Sequence, residues 1–425
     1  MIARRSVLKG IGVGMGALAL PSLARGQAAA HVVVVGGGFG GATAARYLRR
    51  GNPDLRVTLV EADERFVTCP FSNLYLGGLR DLDSITHGYD DLRAAGVEVV
   101  HARAEGVDAA ARTVTLSDGS QLAWDRLVLS PGIDIRWGAL AGYDEAAAAL
   151  APHAWKAGPQ TQLLHDQLRA MEDGGTFVMV LPEGPFRCPP GPYERASMVA
   201  HYFTTEKPRS KILILDSQER FSKQPLFQQG WEALYPGMIE WVSQSDDGLV
   251  VEVDAAAREA VTGFGERHKA DVLNVIPPQK AGAIAEAAGV TDETGWVPVR
   301  GDRFESALVP GIYVLGDATI ANPMPKSGFS ANTQGKVAAA AIIAELAGRE
   351  PPTASFANTC YSLIGPGYGI SVAGVYAADG GTVIEIEGSG GVSPLEVGPE
   401  FRRAEAEYGA GWYASICADI WGTRA

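Results

Sequence analysis

Short apolar runs separated by polar turns recur through most of this chain, and runs of that length read as strands buried on both faces of a parallel sheet. His31 to Val35 is the first, followed by a glycine-rich turn and a helical stretch over 42–50. A second strand, Arg56 to Val60, ends at Glu61. The pattern then predicts a helix over 90–95, strands over 97–101 and 113–116, a hairpin at Asp118-Gly119, and a strand over 124–129. From about Ala151 a second α/β unit is predicted: a helix over 160–171, a strand over 177–181, a helix over 193–203, strands over 211–215 and 249–253, and a last strand over 271–276 that runs into Pro277-Pro278. An apolar strand over 310–315 and a helix over 334–346 complete the first unit, which the second unit interrupts. The tail from Glu350 differs: residues 384–387 alternate as a half-exposed strand, 388–391 form a turn, and no long amphipathic helix is evident.

The turn after the first strand reads Gly36-Gly37-Gly38-Phe39-Gly40-Gly41, with G-x-G-x-x-G at Gly36, Gly38 and Gly41. Glu61 follows twenty residues after Gly41. Strand, glycines, helix, strand and acid in this register predict a dinucleotide site, with the pyrophosphate at the helix N-terminus and Glu61 on the adenosine ribose. The later strand that ends in Gly316-Asp317, before a helix, suits a ribityl chain whose hydroxyl the Asp accepts. The second unit has no matching fingerprint. After its strand over 177–181 stand Cys188-Pro189-Pro190-Gly191-Pro192-Tyr193-Glu194. Proline offers no N–H to a pyrophosphate, so this position is predicted to hold a thiol in place of a nicotinamide cofactor.

Length and composition narrow the class further. The 425 residues allow two or three domains, and 46% hydrophobic residues supply large cores. Residues 1–28 read as a targeting segment: Arg4-Arg5, a glycine-diluted apolar run over 11–20 too short to span a bilayer, and small residues at 26–28. The paired arginines resemble a twin-arginine export signal, although Ala3 and Val7 depart from it and a Sec signal or uncleaved anchor stays open. Removing this segment takes away Arg4, Arg5, Lys9 and Arg25 and no acid, which moves the net charge from −13 to −17. So acidic a chain argues against nucleic acid. Sparse histidine and four unclustered cysteines predict no metal site, and no C-x-x-C-H attaches a haem to this chain.

Several blocks together resemble the flavoprotein subunit of flavocytochrome c sulfide dehydrogenase, within the two-dinucleotide disulfide reductase superfamily. They are Thr68-Cys69 with Ser72-Asn73, Arg187 to Glu194, Asn274 to Ala281, Val314 to Ala318, Pro325-Lys326-Ser327-Gly328, and Cys360-Tyr361-Ser362. The resemblance implies an α/β fold of two Rossmann-like, glutathione-reductase-like domains with a C-terminal α+β interface domain. The expected divisions are 29–150 and 296–350 for the FAD domain, 151–295 for the second domain, and 351–425 for the tail. It implies FAD linked to Cys69 through an 8α thioether, a redox disulfide between Cys188 and Cys360, and Glu194 near that disulfide. Lys326 is expected to face the flavin. Four cysteines permit three full pairings, so another bridge stays open. The implied activity is oxidation of sulfide to sulfur or polysulfide, with electrons leaving to a separate c-type cytochrome subunit in the periplasm. No integral membrane association is expected. Two other readings stand beside it: sulfide:quinone oxidoreduction, and an accessory flavoprotein that reactivates a sulfur-carrier protein.

Overall fold

The first apolar run of each α/β unit becomes an inner strand of its own parallel sheet. The structure, a computed structural model, describes residues 29–422, and the targeting segment read over 1–28 lies outside the described residues. Strand β1 (His31–Val35) pairs in parallel with β2 (Arg56–Val60), His31 opposite Arg56 and Val35 opposite Val60. Helix α1 (Phe39–Gly51) joins them. Strands β3 (Glu98–Val100) and β4 (Arg126–Leu129) extend the sheet on either side. Residues 32–35 are almost wholly buried, which is why the run shows no alternation.

The second unit repeats the pattern. Strand β5 (Thr176–Val180) lies between β6 (Lys211–Leu215) and β8 (Val272–Val275), and β7 (Ile239–Val242) forms the edge beyond β6. Helix α2 (Gly191–Glu206) follows β5 across the proline loop, and α3 (Gln224–Leu234) follows β6. The chain then returns: β9 (Ile312–Val314) pairs with β4 and completes the first sheet, in the order β9-β4-β1-β2-β3. Helix α4 (Gly328–Leu346) comes next. It starts six residues before the stretch its pattern predicts. Gly328, Ser330 and Asn332 are weak helix formers, but the Ser327 side chain caps the turn by accepting the Ser330 N–H.

The tail is more regular than its sequence suggests. Strands β10 (Ser355–Gly365) and β11 (Tyr368–Asp379) form a long antiparallel hairpin, and β12 (Thr382–Glu385) adds to β11. Helix α5 (Pro399–Trp421) then runs for 23 residues where the hydrophobic pattern shows no long amphipathic helix. Its buried positions do recur at helical spacing: Arg402, Glu405, Gly409, Tyr413, Ile416, Cys417, Ile420 and Trp421. The first three of these eight are polar or lack a side chain, so the hydrophobic pattern hides the N-terminal part of the stripe.

Candidate functional site

A cavity of about 1050 Å³ runs from the glycine turn of the first unit to the proline loop of the second and the hairpin of the tail. Gly36, Gly38, Phe39, Glu61, Cys69, Gly316, Asp317, Cys188, Glu194 and Cys360 all line it, with Trp412 of α5 at its wall. Gly41 lies beneath it. A Cβ at Gly41 would stand 1.9 Å from the Gly36 carbonyl oxygen, and one at Gly36, where φ is +98°, would stand 2.3 Å from that of Ser130. Only glycine lets strand, helix and the β4 end approach this closely. Glu61 accepts the Gly37 N–H at 2.7 Å and the Asp63 N–H at 3.1 Å, which fixes the carboxylate at the rim.

The opposite end of the cavity is sulfur-rich. All four cysteines are free thiols, so the bridge implied for Cys188 and Cys360 is not formed here. Cys188 sits at φ +56° and its N–H donates to the Lys326 carbonyl at 2.9 Å. Gly191 is needed beside it, because a Cβ there would stand 2.9 Å from the Cys188 sulfur. Pro192 in the first turn of α2 removes one of the N–H groups that a phosphate would use. Burial pushes the Cys188 thiol up, and the neighbouring Cys360 and Glu194 add to this. Cys360 enters from β10, and the Asn358 amide donates to its sulfur at 3.4 Å. Glu194 joins the two elements: it accepts from Asn73 Nδ2 at 2.9 Å and from the Leu363 N–H at 2.9 Å. Burial raises its pKa above the usual carboxylate range, and these bonds only partly offset the rise. Cys69, on the loop before Ser72, donates to the Trp155 carbonyl at 3.5 Å.

Lys326 is placed differently from the expectation. Its ammonium donates to the carbonyls of Asp317 (2.9 Å) and Thr319 (2.6 Å) and lies 3.8 Å over the Trp296 ring. It faces a smaller neighbouring pocket rather than the large cavity. Arg187, which carried no expected role, stands on the cavity wall instead, 3.7 Å from the Asp317 carboxylate. Arg195 was also unmarked by any motif. It is 1% exposed and bonds Asn73 Oδ1 (3.2 Å), Asn274 Oδ1 (2.9 Å) and the carbonyls of His153 (3.0 Å) and Ala154 (2.6 Å). It thereby gathers the Ser72-Asn73 block, the proline loop and the Asn274 block behind the cysteines. Cys417 is buried away from the cavity, 3.4 Å from His87 Nε2. Trp421 is core: it stacks on His87 and donates to the Gly37 carbonyl at 3.3 Å.

These residues fit a flavin dinucleotide. The glycine turn packs tightly on backbone at Gly36 and Gly41, and the first residues of α1 and α4 line the cavity, where their N–H groups suit a pyrophosphate. Asp317 Oδ1 is buried without a hydrogen-bond partner in the protein, a costly state that a ribityl hydroxyl would relieve. Among the described residues no group of three or more His, Cys, Asp and Glu is arranged to hold a metal, and no helix is long and apolar enough to cross a membrane.

Comparison with known proteins bears on the same three regions. Residues 30–162 match the family described as pyridine nucleotide-disulphide oxidoreductase. Residues 161–277 match sulfide dehydrogenase (flavocytochrome c) flavoprotein chain, central, and residues 352–421 match flavocytochrome c sulphide dehydrogenase, flavin-binding. A sulfide dehydrogenase (flavocytochrome c) flavoprotein chain from Chlorobaculum thiosulfatiphilum is 69% identical over 43 residues, 10% of this chain and 90% of that one. The mitochondrial sulfide:quinone oxidoreductase of Mus musculus is 22% identical over 312 residues, 68% of this chain, and the chain spans 65% of its length. The crystal structure of sulfide:quinone oxidoreductase from Aquifex aeolicus superposes with a TM-score of 0.67 at 19% identity, covering 93% of each chain, a likeness of fold.

Proposed function

The chain belongs to the flavocytochrome c sulfide dehydrogenase flavoprotein family, and from that premise we propose that it oxidises sulfide to sulfur or polysulfide through Cys188 and Cys360, with a c-type cytochrome as electron acceptor. The observation that carries this reading is the convergence of Cys188, Cys360 and Glu194 on one end of the dinucleotide cavity. A proline loop occupies the place where a second dinucleotide turn would stand. Bound flavin supplies the conversion from a two-electron donor to a one-electron acceptor.

The residues divide the remaining work. Gly36, Gly38, Gly41 and Glu61 hold the dinucleotide, and Asp317 with Arg187 sets the charge along its ribityl stretch. Cys69 opens onto the cavity and is the residue we assign to covalent flavin attachment. In the oxidised pair, sulfide attacks one sulfur by thiol–disulfide exchange and leaves a persulfide on one cysteine and a thiolate on the other. Glu194 takes the proton of incoming hydrogen sulfide. Its buried position keeps it basic enough for that transfer. A second sulfide then removes the sulfur atom. Export through the leader over 1–28 would place this chemistry in the periplasm, beside a cytochrome partner.

The likeness to sulfide:quinone oxidoreductases favours one second reading, in which a quinone takes the electrons. Anaerobic reduction of the holoprotein by sulfide, followed by reoxidation with cytochrome c or with a soluble quinone, tests both. Rapid reoxidation by the cytochrome supports the proposal. Reoxidation by the quinone alone supports the rival.

A further inference from the structure

We propose that Lys223 is a positioning residue that sets the positive charge facing the Cys360 thiolate, and so makes Cys360 the sulfur that leaves when sulfide opens the cysteine pair. This rests on the reading above. Lys223 caps α3 at φ +61°, in a left-handed conformation that lysine rarely adopts, and is 6% exposed. Its ammonium donates to the Cys360 carbonyl at 2.9 Å and to Ser362 Oγ at 2.8 Å. Both hydrogen-bond partners are neutral, so these bonds alone do not offset the cost of burying the charge. The charged and titratable groups facing it are Cys360 of β10, Glu194 of α2, Cys188 of the proline loop and Glu405 of α5. Burial brings its pKa down to about 8, and those four groups hold it from falling further, so it is charged at neutral pH.

The two sulfurs are unequal for a second reason. The Asn358 amide lies against the Cys360 sulfur, Nδ2 at 3.4 Å and Oδ1 at 3.7 Å, and Ser327 Oγ donates to that Oδ1 at 2.6 Å, which leaves Nδ2 as the donor to a Cys360 thiolate. Among the described residues no side-chain donor reaches the Cys188 sulfur, and burial pushes that thiol up. In the step, the sulfur of hydrosulfide bonds to the Cys188 sulfur and the bond between the two cysteines breaks. The hydrogen stays on the new persulfide, and the electron pair leaves on Cys360. Electrons balance within the exchange, with no outside oxidant.

The test uses the flavin-loaded protein after reduction of its cysteines, with iodoacetamide as probe and mass spectrometry of the Cys188 and Cys360 peptides as readout. Lys223→Met is expected to slow alkylation of Cys360 near neutral pH by about tenfold, and to leave Cys188 little changed. Lys223→Arg restores most of the Cys360 rate. Ser362→Ala, which removes a bond and keeps the charge, leaves it near wild type. An unchanged Cys360 rate in Lys223→Met, equal slowing at both cysteines, or equal slowing in Ser362→Ala would overturn the proposal. The measurement uses no sulfide, so a wild-type protein that sulfide fails to reduce would count against the proposed activity and leave this result standing.

Discussion

Glu194 accepts the backbone N–H of Leu363 at 2.9 Å, which ties the first turn of the helix after Cys188 to the strand that carries Cys360. One carboxylate therefore ties together the elements that carry the two cysteines, and in the proposed reaction it takes a proton. Glu194→Gln keeps one of the two accepting oxygens, sets an amide NH2 against a donor in place of the other, and removes the base, so sulfide-dependent turnover is expected to fall by roughly 10²-fold or more with a modest fall in melting temperature. Because burial raises the pKa of Glu194, the wild-type rate should decline as pH drops through a value above the ordinary carboxylate range. That acidic limb should vanish in the glutamine variant. Steady-state rates across pH check both.

Arg195 is expected to matter for stability first. Replacing it with Met leaves Asn73 Oδ1, Asn274 Oδ1 and two backbone carbonyls buried without their donor. Leaving a buried acceptor of this kind without its donor costs about 1–3 kcal/mol. Denaturant unfolding of the Met variant should show a loss of that order, and Arg195→Lys a smaller one, since an ammonium lacks the guanidinium fork.

Gly41→Ala should abolish flavin loading before it abolishes folding. The added Cβ would meet the Gly36 carbonyl at 1.9 Å, so the turn that cradles the phosphates must open. Flavin absorbance per protein after purification is the readout, with circular dichroism as the control for fold.

Cys69→Ser should release the flavin on denaturation. The wild-type protein should keep its flavin on the peptide containing Cys69, because the thiol opens onto the cavity with one contact, to the Trp155 carbonyl at 3.5 Å. Acid precipitation followed by absorbance of pellet and supernatant distinguishes the two.

The nucleotide half of the site is legible in the sequence because its constraints are local. Val32 to Val35 announce a buried strand, the glycines a turn no other residue fits, and Glu61 the end of the next strand. The proline loop is legible for the opposite reason: Pro192 rules out the phosphate turn that the same position would otherwise carry. Lys223 and Arg195 could not be read this way. Each is buried by partners more than 40 residues distant or drawn from several elements, and a lone basic residue in a sequence looks like a surface charge. Lys326 misleads because its block sits beside the cavity while its ammonium turns to the far side, drawn by two carbonyls and the Trp296 ring. In α5, Arg402 and Glu405 face inward, so hydrophobicity alone conceals the first two turns of the helix. Their burial is supported by Ser371 and Ser393 donating to Glu405 Oε1 at 2.7 and 2.6 Å.

The most direct test of sulfide oxidation at the cysteine pair is the fate of a limiting amount of sulfide added anaerobically to the oxidised holoprotein. After acid quench and proteolysis, mass spectrometry of the peptides spanning positions 188 and 360 should find one additional sulfur atom held by the cysteine pair, as a persulfide on one peptide before the flavin absorbance bleaches and bridging the two peptides once it has bleached. Bleaching by sulfide with both cysteines left unmodified, or an undiminished rate in Cys188→Ser and Cys360→Ser, would contradict it.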